Sequence, residues 1–217
     1  MEFLINILAS MVAGVIMLVV TAFASSHARW LLTATLGKLL GVDVERVYPN
    51  KQGALADVER EIQRSHQVDM LTGRGNDLEA AHFQCLLSKR AASNKTRLRV
   101  LLPETRHLVS EVNWSEVNDR EIALIDRSYG NGLLAKQIES VVEFLKPYLQ
   151  EGKVELRRFN MPHLGRILIT DRYVFVTSYP HHTRAEYAEV IKLARKGVLS
   201  DGYVRLFNLV WDNQRKA

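Results

Sequence analysis

The stretch Thr72-Gly73-Arg74-Gly75-Asn76-Asp77 has residue types suited to holding an anion. Its glycines let backbone N–H groups converge, and a helix opening near Asp77 would aim its positive end at the same point. The pattern matches neither the phosphate loop of nucleotide-binding enzymes nor GxGxxG, so it favours a plain strand-to-helix turn. His181-His182 offers two imidazoles. Adjacent residues rarely complete a metal site, and no Cys or carboxylate spacing stands beside them, so a surface loop is expected, with no metal and no cofactor. Lys89, Arg90, Lys95, Arg97 and Arg99 form a basic run that reads as a solvated face and a strand edge. The single cysteine, Cys85, reads as a small buried hydrophobe rather than a nucleophile.

These residues need elements to position them, and the hydrophobic spacing supplies a series. Leu55, Val58 and Ile62 make one helical face, and Gln67–Leu71 follows as a strand. A helix is expected over about 77–90, then a strand from Arg97 to Leu102 stopped by Pro103. Residues 104–131 are polar and weakly periodic, a loop with a helix inside. Leu134, Ile138, Val141, Val142 and Leu145 give a strong helical face up to Pro147. Lys153–Phe159 reads as a strand, and Arg166–Thr170 and Tyr173–Thr177 as a hairpin turning at Asp171-Arg172. Tyr203, Leu206, Phe207, Val210 and Trp211 form a terminal helix. Alternation of this kind predicts an α/β domain, a mixed sheet with helices on its faces.

The element order, together with Leu164-Gly165-Arg166-Ile167-Leu168-Ile169-Thr170-Asp171 and the later Thr177-Ser178, resembles one half of a phospholipase D-like domain over roughly residues 45–180. That superfamily carries HxKxxxxD followed by Gly-Ser, and two such motifs meet in one phosphodiesterase site. The resemblance implies Arg166 at the motif's Lys position, Asp171 at its Asp, Ser178 at its Ser, and Leu164 where the nucleophilic His belongs. His163 lies one residue early, and strand alternation sends it to the face opposite Arg166 unless a bulge at Gly165 re-aims it. Leucine cannot form the covalent phospho-intermediate, and Arg for Lys keeps the charge but not the chemistry. The resemblance also implies that Thr72, Gly73, Arg74 and Gly75 border the site.

The N-terminus sets the remaining expectations. Phe3–Ala24 carries no charge across 22 residues, roughly 33 Å of helix against a hydrocarbon core of about 30 Å. Glu2 and the absence of Lys or Arg before the span argue against a cleaved signal peptide, although Ala22-Phe23-Ala24 has small residues suited to cleavage. Arg29, Lys38, Arg46 and Lys51 follow it, which places the C-terminal side in the cytoplasm. The expected organisation is a transmembrane helix over 1–27, a juxtamembrane amphipathic segment over 28–44 and the phospholipase D-like domain over 45–217. Leu32, Leu36, Leu39 and Leu40 stripe the middle segment, suited to a membrane surface or to docking on the domain. Ala9/Ala13 and Ser10/Gly14 suit close contact between membrane helices.

The expected function is a single-pass inner-membrane protein, catalytically degenerate, that binds a phosphate-bearing ligand or a partner protein in signalling or anti-phage defence. Homo-oligomerisation accompanies it. An active homodimeric phosphodiesterase using His163, Arg166 and Asp171, or a structural subunit of a membrane complex, are the alternatives. A net charge of +5 is too small to argue for nucleic acid by itself.

Overall fold

A computed structural model describes residues 7, 10–15, 17, 35, 43–79, 83–84, 87, 97–106, 112–126, 129–130, 132–162, 165–179 and 187–214. Among the described residues, seven strands form one sheet in the order β1-β7-β6-β5-β2-β3-β4. They are β1 Val44–Tyr48, β2 Gln67–Leu71, β3 Arg97–Pro103, β4 Val154–Phe159, β5 Gly165–Ile169, β6 Tyr173–Ser178 and β7 Val190–Ala194. β2, β3 and β4 run parallel, and the remaining neighbours pair antiparallel. The expected mixed sheet flanked by helices is therefore present.

Helices α1 (Lys51–Arg64) and α3 (Leu133–Gln150) cover one face, with α2 (Trp114–Ile125) against α3. Their apolar rows, Ala54, Val58 and Ile62 on α1 and Leu134, Ile138, Val141 and Leu145 on α3, meet Met70, Val100, Leu168 and Phe175 of the sheet. Asn50 caps α1 by accepting from Gly53 N–H at 2.8 Å. Helix α4 (Val198–Asn213) lies on the other face, where Phe207, Val210 and Trp211 meet Leu71, Leu101, Ile169 and Val176. Period-two alternation along the strands divides the apolar residues between these two cores.

Several expectations need correction. Helix α3 runs through Pro147 to Gln150. Proline cannot donate, but its carbonyl accepts from Glu151 N–H at 3.1 Å, so a last turn forms beyond it while Tyr148 and Leu149 pack on the core. The helix expected over 77–90 opens as a single 3-10 turn, Asn76–Glu79; Phe83, Gln84 and Leu87 are helical, and the rest lies outside the described residues. Arg99 is not on a strand edge. Its strand lies between β2 and β4, and its guanidinium grips Asp69, its cross-strand neighbour, at 2.7 and 2.6 Å. Strands β1 and β7 had no sequence expectation.

At the N-terminus, residue 7, residues 10–15 and residue 17 are helical. Among the described residues no helix is long and apolar enough to cross a membrane. Most of Phe3–Ala24 lies outside them, as do Cys85, Lys89, Arg90, Lys95, His181 and His182.

Candidate functional site

One edge of the sheet gathers the chemistry. The C-terminal end of β2, the N-terminal end of β5 and the C-terminal end of β6 coincide there, because Leu71 pairs with Ile167 and Gly165 with Ser178. Arg166 on β5 is 5% exposed and points into the α1/α3 side, the face it shares with Leu168. Its guanidinium forms an ion pair with Asp77 from the 3-10 turn, and Asp77 also receives the ammonium of Lys51, the first residue of α1. Burial pushes the Asp77 carboxyl up, but the charges of Arg166 and Lys51 outweigh it and hold the group below the ordinary carboxylate range.

Arg74 completes the positive side. Its guanidinium lies 4.6 Å from the centre of the Tyr129 ring and donates to the Tyr129 hydroxyl at 2.6 Å. That hydroxyl donates to Gln137 Oε1 on α3, also at 2.6 Å, which fixes the aromatic shelf. The Tyr179 phenol, just beyond β6, is pushed up by burial and sits in the fields of Arg166, Asp77 and Arg74. Lys51, Arg166 and Arg74 thus bring three cations against one carboxylate.

Among the described residues, two buried polar atoms here have no hydrogen-bond partner: Arg166 Nε and Thr177 Oγ1. Arg166 and Thr177 are directly paired across β5 and β6, so their side chains lie on the same face. The adjoining cavity, lined by Lys51, Leu55, Met70, Asp77 and Arg166, holds about 20 Å³, room for one water. At the same strand ends Ser178 is exposed.

The residues assigned by resemblance are not gathered in one place. Asp171 lies at the far end of β5 from Arg166, roughly 16 Å along the strand at 3.3 Å per residue. There it accepts from the backbone N–H groups of His66 at 2.7 Å and Gln67 at 3.1 Å, with His66 Nδ1 at 3.0 Å. Burial opposes its charge, and these donors hold its pKa below the ordinary range. Asp171 therefore ties the hairpin turn to the start of β2. His163 and Leu164 lie outside the described residues.

The β5–β6 register runs without a shift from Gly165–Ser178 to Ile169–Val174, so the described strands contain no bulge at Gly165. A side chain there would meet the Thr177 carbonyl oxygen at 2.2 Å, which explains the glycine by close backbone approach.

The Thr72–Gly75 turn borders the cluster but is a packing turn. Thr72 is buried and its N–H donates to Leu101 O; Gly73 is also buried. Gly75 has φ +80°, and a Cβ there would lie 2.9 Å from Leu102 Cδ2 and 3.0 Å from Val141 Cγ1. Leu78 N–H is taken by Gly75 O, and the single 3-10 turn offers no helix N-terminus for an anion. Of that turn, the Arg74 side chain is the part that faces the chemistry. Lys51, Asp77 and Tyr129 were not legible as site residues: Asp77 reads as an ordinary helix-start acid, and its partner Arg166 is 89 residues away.

No protein-family model matches the sequence, and no curated protein matches it. Among solved structures, the chain is similar to TrmBL2, an archaeal chromatin protein whose structure shows a novel mode of DNA binding. The identity is 15%, the TM-score 0.51, and the match covers 98% of this chain and 70% of that one. Nuc from Salmonella typhimurium, a phospholipase D family member, matches at 15% identity and TM-score 0.44 over 79% of this chain and 96% of its own. NucT from Helicobacter pylori matches at 11% and 0.42 over 79% and 98%. At those TM-scores Nuc and NucT carry no argument about this chain, and the likeness to TrmBL2 is one of fold alone.

Proposed function

We propose that this chain is a membrane-tethered, phospholipase D-like module that binds a phosphate-bearing ligand at the Arg166 edge and does not cleave it. The observation that carries the reading is the buried Arg166–Asp77–Lys51 cluster, whose Arg166 Nε and neighbouring Thr177 Oγ1 lack partners among the described residues. A guanidinium already half engaged by a carboxylate can still offer a free N–H to a phosphate oxygen. Among the described residues, Arg74 and Lys51 leave the edge net positive. A nucleophile is what the site lacks on this reading: the resemblance puts Leu164 at the catalytic His position, and Asp171 works as a tie at the other end of β5.

The ligand class is a phosphate monoester or diester, and TrmBL2, described as DNA-binding, makes an oligonucleotide one arm of the test. Purified protein is assayed for turnover of lipid, oligonucleotide and generic phosphodiester substrates, with His163→Ala alongside. The expected outcome is no turnover by either. Turnover by the parent that disappears in His163→Ala would replace this reading with the active phosphodiesterase.

The inner-membrane tether rests on the uncharged length of Phe3–Ala24 and on Arg29 and Lys38 beyond it. Self-association rests on the small-residue pairs Ala9/Ala13 and Ser10/Gly14 and on the half-domain character of the resemblance.

A further inference from the structure

Helix α4 carries two apolar faces, and the fold uses one. Ser200, Phe207, Val210 and Trp211 are buried against the sheet. Leu199, Leu206 and Leu209, at 48%, 39% and 62% exposure, form a second stripe with Gly202 between them. Their spacing of three and four residues is that of a helix seam, displaced from the docked face and flanked, about 90° further round, by Asp201, Arg205 and Asp212. A Cβ at Gly202 would touch nothing within 4 Å, so the stripe has a notch at its middle.

The chain reaches this stripe from its own N-terminal side. Asp43 caps α4: its carboxylate accepts from Leu199 N–H at 3.2 Å and Ser200 N–H at 2.6 Å, the service that the N-cap Gly197 cannot perform. Ala194 N–H donates to Asp43 O at 2.8 Å, and a side chain at Gly197 would collide with Asp43. Asp43 is therefore fixed beside Leu199, and the residues before it, with their Leu32, Leu36, Leu39 and Leu40 stripe, start from that point.

We propose that residues 29–40 dock antiparallel on the exposed stripe of α4, with Leu36 in the Gly202 notch and Leu32 against Leu206. The dimensions fit. As a helix, Leu32 to Leu40 would span roughly 12 Å, and Leu199 to Leu209 spans roughly 15 Å, both at 1.5 Å per residue. The steps from Leu40 to Asp43 reach about 10 Å, the spacing of two packed helices. Thr35, the described residue of this stretch, is helical. A second copy is the weaker occupant. Three half-exposed leucines fall well short of the roughly 800 Å² per partner that a standard interface buries. A segment tethered two residues away associates at high effective concentration. The docked segment would couple the membrane-proximal chain to the sheet face opposite Arg166, a link that stands whether or not the anion reading does.

The test uses the full chain in lipid nanodiscs, with Cys85→Ser and a cysteine pair at Leu32→Cys and Leu206→Cys. Mild oxidation should join the pair within one chain, and at least tenfold faster than Leu32→Cys with Asp201→Cys, an exposed position about 140° round α4 from Leu206. Adding Leu209→Asp, at a position 62% exposed, should slow the reaction severalfold. Absence of the intramolecular link overturns the proposal. Crosslinks between chains instead would assign the stripe to a second copy. Quenching of Trp30 fluorescence by brominated lipid, unchanged by Leu209→Asp, would assign residues 29–40 to the bilayer surface.

Discussion

Asp77 is the residue on which the proposed site turns, because one carboxylate holds both Lys51 and Arg166 in place. Removing it leaves a buried guanidinium without a counter-charge, a change that typically costs about 3–5 kcal/mol. Asp77→Asn should therefore melt markedly earlier, and millimolar phosphate should recover part of the loss by replacing the missing charge. The pH dependence follows from the same pair. A carboxyl whose folded pKa lies below its unfolded value contributes stability that is complete above the unfolded value, near 3.8, and is lost as pH falls through the folded one. Thermal stability of the parent should thus fall more steeply below about pH 4 than that of Asp77→Asn. Asp171 supplies the contrast. Asp171→Ala returns two exposed backbone donors, His66 N–H and the Gln67 N–H that opens β2, to water at about 0.5–1.5 kcal/mol per lost bond, and should lower the melting temperature without changing phosphate affinity. At this scale the sequence marked Arg166 and Arg74 as site cations, through a resemblance and a glycine-bearing turn. It could not mark Lys51 or Asp77, whose meaning lies in contacts across 26 and 89 residues. It also grouped Asp171 with Arg166, although strand geometry places them at opposite ends of β5.

At the scale of elements, periodicity carried most of the information. The rows on α1 and α3 and the β5–β6 hairpin were legible because each buries one face, and a buried face leaves a period in the sequence. Strand β1 left none: it lies at the sheet edge, and its Val-Glu-Arg-Val-Tyr mixes exposed charge with apolar residues. Phe207, Val210 and Trp211 make helix α4 legible, whereas Leu206, apolar like them in the sequence, faces outward. An apolar residue on a second stripe has the same letter as one in the core. Trp211 is the anchor of this helix. It stacks on Phe207 with ring centres 5.8 Å apart, under the guanidinium groups of Arg99 and Arg157 at 5.2 and 4.5 Å. Trp211→Ala should cost about 3–5 kcal/mol, read as a large drop in melting temperature. An unchanged melt would mean that α4 is held by something other than this core.

At the scale of the molecule, the seven-stranded mixed sheet sets the site at one edge, with α1 and α3 covering one face and α4 the other. Alternating helix and strand signals predicted that architecture, whereas the strand order needed the antiparallel return of β5 through β7. If Phe3–Ala24 is the tether proposed above, a reporter fused after Ala217 should behave as cytoplasmic, and periplasmic behaviour would reverse the orientation. The central claim is that the Arg166 edge binds a phosphate-bearing ligand, and calorimetric titration of inorganic phosphate and of a short DNA oligonucleotide tests it most directly. The parent is compared with Arg166→Lys, which keeps the charge against Asp77 but loses the planar fork of donors. Saturable binding by the parent, weakened at least tenfold in Arg166→Lys and unchanged in Asp171→Ala, is the result this account predicts. No saturable binding of either ligand by the folded parent, or binding indifferent to Arg166, would contradict it.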